Sequence, residues 1–120
     1  MKQVLIVDDS QTIRHEIAEA LKQAGFGTVE ARDGLAGLEC AEQQQFAMIL
    51  LDVNMPRMNG LELLDRLKGD PKTAGVPVVM LTTEAQRSLI ERARKAGAKG
   101  WLVKPVKMAQ IVSTVMALAN

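Results

Sequence analysis

Hydrophobic residues fall into two alternating patterns along this chain. Apolar runs rich in valine, isoleucine and leucine occupy 4–7, 47–51 and 76–81. Such runs predict strands buried on both faces, as in a parallel sheet. Shorter runs over 28–31 and 100–103 predict two more strands. Between the runs, apolar residues recur at the spacing of a helix with one buried face. Ile13, Ile17, Ala20, Leu21 and Ala24 follow Ser10, a good N-cap, and stop at Gly25. Asp33 caps a helix bearing Leu35, Leu38 and Ala41, and the Asn59-Gly60 pair leads into one bearing Leu61, Leu64 and Leu67. A fourth helix is predicted over 85–96, stopped by Gly97, and a fifth over 108–119. Pro77 fits its run only near the strand start.

Five strands alternating with five helices predict right-handed βαβ crossovers and an α/β sheet covered on both faces. No repeat or Pro/Ser-rich linker interrupts the pattern, so 1–120 is expected to be one domain. Composition narrows the functions. Lysine plus arginine (15) nearly cancel aspartate plus glutamate (14), which argues against a nucleic-acid partner. Phe26, Phe46 and Trp101 are the only aromatics, too few for base stacking. Cys40 and His15 are each the sole residue of their type, leaving no thiolate or multi-histidine metal site. No apolar run approaches the roughly 18 residues of a membrane span, and the chain starts without a signal-peptide pattern. A cytoplasmic location is expected.

In an open parallel sheet, function collects outside the carboxyl ends of the strands. Here those ends carry Asp8-Asp9, Asp52, Thr82 and Lys104, with nothing comparable after the second strand. Any one aspartate there is commonly a turn residue or helix cap, and a lone lysine is usually solvated. Convergence changes that balance. Carboxylates about 4 Å apart repel by on the order of 4 kcal/mol per pair at an effective dielectric of 20. A divalent cation and Lys104 would balance three of them, so Asp8→Asn or Asp9→Asn is expected to raise metal-free stability. All-oxygen ligands select Mg²⁺ or Mn²⁺, and Mg²⁺ keeps positions open for phosphate oxygens. The pattern points to phosphoryl chemistry with a carboxylate nucleophile.

The residues that carry this pattern resemble bacterial response-regulator receiver domains of the chemotaxis type over the whole chain. They are Val7-Asp8-Asp9-Ser10, Leu50-Leu51-Asp52-Val53-Asn54-Met55-Pro56 with Asn59-Gly60-Leu61-Glu62, Leu81-Thr82-Thr83-Glu84-Ala85, and Ala96-Gly97-Ala98-Lys99-Gly100-Trp101-Leu102-Val103-Lys104-Pro105. The resemblance implies a flavodoxin-like, doubly wound fold with strand order 2-1-3-4-5, the order of flavodoxin and the chemotaxis regulators themselves. It also implies Asp52 as phosphoacceptor from a histidine kinase or histidine phosphotransfer protein. Asp8, Asp9, Asp52 and Asn54 would hold Mg²⁺, with Mn²⁺ as a substitute, Asp8 acting mostly through a metal-bound water. Lys104 would pair with the phosphate beside a cis Pro105, and Thr82 and Trp101 would switch. Asn54 and Glu84 would tune dephosphorylation, giving a short-lived phosphoaspartate. The fourth helix, fifth strand and fifth helix would then meet a downstream protein target, the chain being a monomer or weak dimer.

Several positions carry two readings. Trp101 stands where tyrosine or phenylalanine is usual, either as switch or as half-buried packing residue. Thr83 is larger than the residue common there and would narrow access. Arg14, His15, Pro105 and Met108 are candidate kinase contacts, although His15 also reads as a solvated helix residue. Cys40 reads as packing. Ile111, Val112, Val115, Met116 and Leu118 cover more than one face of the last helix, through burial or as a partner surface. Arg87, Arg92, Arg94 and Lys95 read as a solvated face. Rival functions are a Mg²⁺-dependent aspartyl-phosphate phosphohydrolase, disfavoured because Asn54 stands where its general acid would be, an FMN binder, and a receiver fragment of a larger regulator.

Overall fold

The computed structural model describes residues 1–55, 58–83 and 87–119. The elements run β1 (Gln3–Val7), α1 (Gln11–Gln23), β2 (Gly27–Ala31), α2 (Gly34–Gln43), β3 (Met48–Asp52), α3 (Gly60–Lys68), β4 (Val78–Thr82), α4 (Arg87–Lys95), β5 (Gly100–Val103) and α5 (Met108–Leu118). Pro56, Glu84 and the expected helix start at residue 85 lie outside the described residues. The strands form one parallel sheet in the order β2-β1-β3-β4-β5, as the resemblance implied.

Alternate side chains divide the core into two layers. Leu5, Val7, Ile49, Leu51, Val78 and Met80 pack with Leu61, Leu63, Leu64 and Leu67 of α3, Ala41 of α2 and Ala93 of α4. Val4, Ile6, Met48, Leu50, Val79 and Leu81 pack instead with Ile17, Ala18 and Leu21 of α1 and Ile111 and Val115 of α5. Because both faces of β1, β3 and β4 are covered, their sequences show no polar alternation. Both edge strands, β2 and β5, contain half-buried positions.

β1 and β2 each start one residue earlier than expected, and β3 and β4 are shifted along the chain. β4 begins at Val78 rather than 76, because Pro77 has no N–H to donate, although its carbonyl accepts from Ile49 N–H at 2.9 Å. β3 runs through Asp52, paired opposite Leu81, so the acid is the last residue of the strand. Ser10 and Asp33 cap α1 and α2 as expected, accepting from the N–H groups of Ile13 and Ala36. Gly25 and Gly97, the expected helix stops, have φ of +96° and +107°. Among the described residues, no helix is long and apolar enough to cross a membrane.

Candidate functional site

The chain leaves β1 towards the α1 face and leaves β3 towards the opposite face, so neighbouring strands send their loops apart. The crevice between those loops is where a doubly wound sheet presents ligand-binding groups. It is lined here by acids. Asp8 and Asp9 follow β1, Asp52 ends β3, and a carboxylate oxygen from each lies within 4.8 Å of the others. Asp8 and Asp52 are buried, while Asp9 is exposed. The approach of α3 to the end of β3 depends on Gly60, since a Cβ there would collide with the Asp52 carbonyl and Val53 Cα.

Asp8 is held on every side. Its Oδ1 accepts from Ser10 N–H at 2.9 Å and its Oδ2 from Lys104 Nζ at 2.8 Å. Its own N–H donates to the Ala31 carbonyl at 3.1 Å, and its carbonyl accepts from Arg14 Nη1 at 2.7 Å. Lys104 Nζ also lies 3.5 Å from Asp52 Oδ1, which accepts from Asn54 N–H at 3.3 Å. One ammonium thus contacts two of the three clustered carboxylates.

The titration of Asp52 reflects its burial and, after that, the excess of acids. Burial first, then the Asp8 charge, pushes its carboxyl up to about 6; Lys104 and the Asn54 N–H pull it back, and Asp9 adds a little. For Lys104, burial pulls down, but the Asp8 hydrogen bond and the charges of Asp52 and Asp8 more than offset it, so the ammonium is strengthened. Two charged groups destabilised by burial and held apart in acidity are typical of reactive sites.

The other strand ends join the same crevice. Thr82 is wholly buried at the end of β4, opposite Val103, and its carbonyl accepts from Lys104 N–H at 2.6 Å. The Lys104–Pro105 peptide is cis. Across the mouth, Asn54 Nδ2 donates to Thr83 Oγ1 at 3.2 Å. Glu84 lies outside the described residues.

Trp101 sits opposite Met80 on β5, half-buried against the core layer beneath α2, α3 and α4. Its indole N–H is buried without a partner among the described residues. Arg14 does not face solvent as a kinase contact would: its side chain is 13% exposed and turns inward, Nε donating to Glu30 Oε1 at 3.2 Å. His15 is exposed, 3.4 Å from the same Glu30 oxygen. Pro105 and Met108 line an apolar cavity of about 360 Å³ with Ile13, Leu81 and Ile111, beside Lys104. On α5, Ile111 and Val115 are buried and Met116 is exposed, so burial accounts for only part of its apolar surface. Cys40 packs half-buried against the core, with burial and then the Glu39 charge pushing its thiol up. Arg94 pairs with Glu91 at 2.7 Å and Arg92 with Asp65 at 3.6 Å, all on the exposed surface.

Sequence reasoning assigned nothing to β2, yet Glu30 anchors Arg14 against the Asp8 peptide. The available signal was a lone acid inside an apolar strand. Asn59, read only as part of the lead into the third helix, caps α3 by accepting from Glu62 N–H at 3.0 Å, the spacing of a capping box.

The model of the family described as "Response regulator receiver domain" matches residues 4–116. The chemotaxis protein CheY-3 of Vibrio cholerae is 39% identical over 109 residues, covering 90% of this chain and 84% of the relative. The transcriptional regulatory protein PdtaR of Mycobacterium tuberculosis is 37% identical over 115 residues, and the match spans 95% of this chain but 55% of that protein. The solved structure of the Vibrio cholerae chemotaxis protein CheY4 superposes with a TM-score of 0.93 at 36% identity, covering 98% of each chain.

Proposed function

We propose that this chain, which belongs to the response regulator receiver domain family, accepts a phosphoryl group on Asp52 from a phosphohistidine and relays a signal by protein contact. Members of the family act in two-component signalling rather than on metabolites. The observation that carries the reading is the cluster of three carboxylates at the crevice, two of them in contact with the half-buried Lys104. Its oxygen-only donors fit a hard cation, and the raised pKa of Asp52, set first by burial and then by the Asp8 charge, leaves a carboxylate whose charge such a cation would offset. Asp9 and Asp52, with the backbone carbonyl of Asn54, would hold Mg²⁺ or Mn²⁺, and Asp8 would act through water because Ser10 and Lys104 already occupy both its oxygens. When bound, the cation neutralises charge on the phosphoryl oxygens.

The remaining steps belong to the chain's own groups. The Asp52 carboxylate attacks phosphorus, the P–N bond to the donor imidazole breaks, and its electron pair stays with the departing nitrogen. Lys104, already 3.5 Å from Asp52, pairs with an oxygen of the transferred group. Thr82 contributes its hydroxyl from the end of β4, and the resulting movement is passed to Trp101 and to the surface of α4, β5 and α5. Asn54 and Glu84 set the rate at which water removes the group. The histidine kinase or phosphotransfer partner docks beside α1 and the segment after Lys104, where the apolar cavity opens. The residues 1–120 act as one phosphoacceptor domain in the cytoplasm, alone or as a weak dimer.

Intact mass spectrometry after incubation with acetyl phosphate and Mg²⁺ tests the assignment. Addition of one phosphoryl mass to the wild type and none to Asp52→Asn is expected. Equal addition to both would overturn it, and turnover of generic phosphomonoesters dependent on Asp52 would favour a phosphohydrolase.

A further inference from the structure

The structure assigns to Arg14, held by Glu30, the positioning of the Asp8–Asp9 peptide on which metal binding depends. Asp8 is where β1 stops and its backbone loses the regular ladder. Its N–H is still paired with the Ala31 carbonyl of β2 at 3.1 Å. Its carbonyl is taken by a side chain, Arg14 Nη1 at 2.7 Å, reaching back from the first turn of α1. That carbonyl belongs to the peptide plane that leads to Asp9, so fixing it fixes the direction in which Asp9 leaves the strand. A guanidinium serves because it donates from separate nitrogens in a rigid fork. While Nη1 holds the Asp8 carbonyl, Nε donates to Glu30 Oε1 at 3.2 Å, on the strand next to β1. Glu30 precedes Ala31, so two consecutive residues of β2 hold the two peptide groups that flank the Asp8 Cα, one directly and one through Arg14.

Among the described residues, Arg14 pairs with Glu30 and the Asp8 carbonyl and with neither a carboxylate of the crevice nor Lys104; it acts through the backbone. Positioning groups of this kind commonly alter metal affinity by about 10–100-fold when removed. The inference rests on the proposed metal site, and the experiment separates the two. Mn²⁺ binding to the full chain is measured by electron paramagnetic resonance for wild type, Arg14→Met, Arg14→Lys, Glu30→Gln, the Arg14→Met/Glu30→Gln pair and Asp9→Asn, alongside thermal melting. Arg14→Met is expected to weaken binding about tenfold. Arg14→Lys should recover part of that loss, since an ammonium reaches one acceptor but lacks the fork. Glu30→Gln should weaken binding less, and the double variant no more than Arg14→Met alone, as for residues acting in series. A lowered melting temperature with wild-type Mn²⁺ affinity in Arg14→Met would overturn the positioning role. Loss of binding in Asp9→Asn but not in Arg14→Met would leave the metal site standing and remove Arg14 from it. Unchanged binding in Asp9→Asn would remove the metal site itself.

Discussion

Two half-buried lysines stand at opposite ends of the sheet, and they are treated in opposite ways. Lys68 closes α3 at the amino end of β4, its Nζ donating to the carbonyls of Ala74 at 3.0 Å and Val76 at 2.8 Å. Its hydrogen-bond partners there are neutral carbonyls, so burial, followed by repulsion from Lys99, lowers its basicity. Lys104 follows β5 at the carboxyl end and meets Asp8 and Asp52, which raise its basicity despite burial. A lysine that ties neutral carbonyls together holds a turn. A lysine placed among more acids than it can neutralise leaves a charge deficit for something else to fill, and that deficit is the mark of the site.

Substituting each lysine sharpens the contrast, and the largest effect is expected at Lys104. Lys104→Met should slow phosphorylation by acetyl phosphate by on the order of 10², since a preorganised charge aimed at the transferring group is lost. Lys68→Met should leave that rate unchanged while lowering stability by about 2 kcal/mol through two unpaired carbonyls. Stopped phosphorylation assays and chemical denaturation on both variants check this. Equal effects on rate would erase the distinction between the two ends.

A smaller effect separates the acids themselves. Treating the carboxylates only as mutually repelling charges led to the expectation that Asp8→Asn and Asp9→Asn would both stabilise the metal-free protein. The structure divides them, because Asp8 binds Lys104 and the Ser10 N–H from a wholly buried position, whereas Asp9 is exposed. Asp8→Asn should therefore lower metal-free stability by about 1–3 kcal/mol. Asp9→Asn should raise it by less than about 1 kcal/mol. Denaturant midpoints at low ionic strength distinguish these outcomes, and stabilisation by both would restore pure repulsion.

The core was legible because its covered strands carry unbroken apolar runs, and the site because Asp8, Asp9, Asp52, Thr82 and Lys104 each stand where a run stops. What escaped were the arrangements that side chains outside that cluster make by reaching across the fold. Arg14 reads in sequence as a candidate kinase contact, since nothing local reveals that Glu30 on a neighbouring strand will draw it inward. Asn54 and Thr83 are separated by 29 positions, so their hydrogen bond is invisible to spacing. Pro77 was visible as a breaker, but only the ladder showed that β4 starts just after it.

The charge deficit is tested most directly by calorimetric titration of Mg²⁺ into the metal-free protein at pH 5 and pH 7.5, with Asp52→Asn beside it. The folded protein holds the Asp52 proton up to about pH 6, against a usual value of 3.8. Without metal, raising the pH from about 4 through 6 should remove on the order of 2–3 kcal/mol of stability, because the unfolded chain gives up that proton first. Mg²⁺ must displace the same proton, so its binding should be about tenfold tighter at pH 7.5 than at pH 5, with proton uptake by the buffer at the lower pH. Asp52→Asn should bind weakly and without that pH dependence. Mg²⁺ affinity indifferent both to pH and to Asp52→Asn would contradict a cation site built on Asp52.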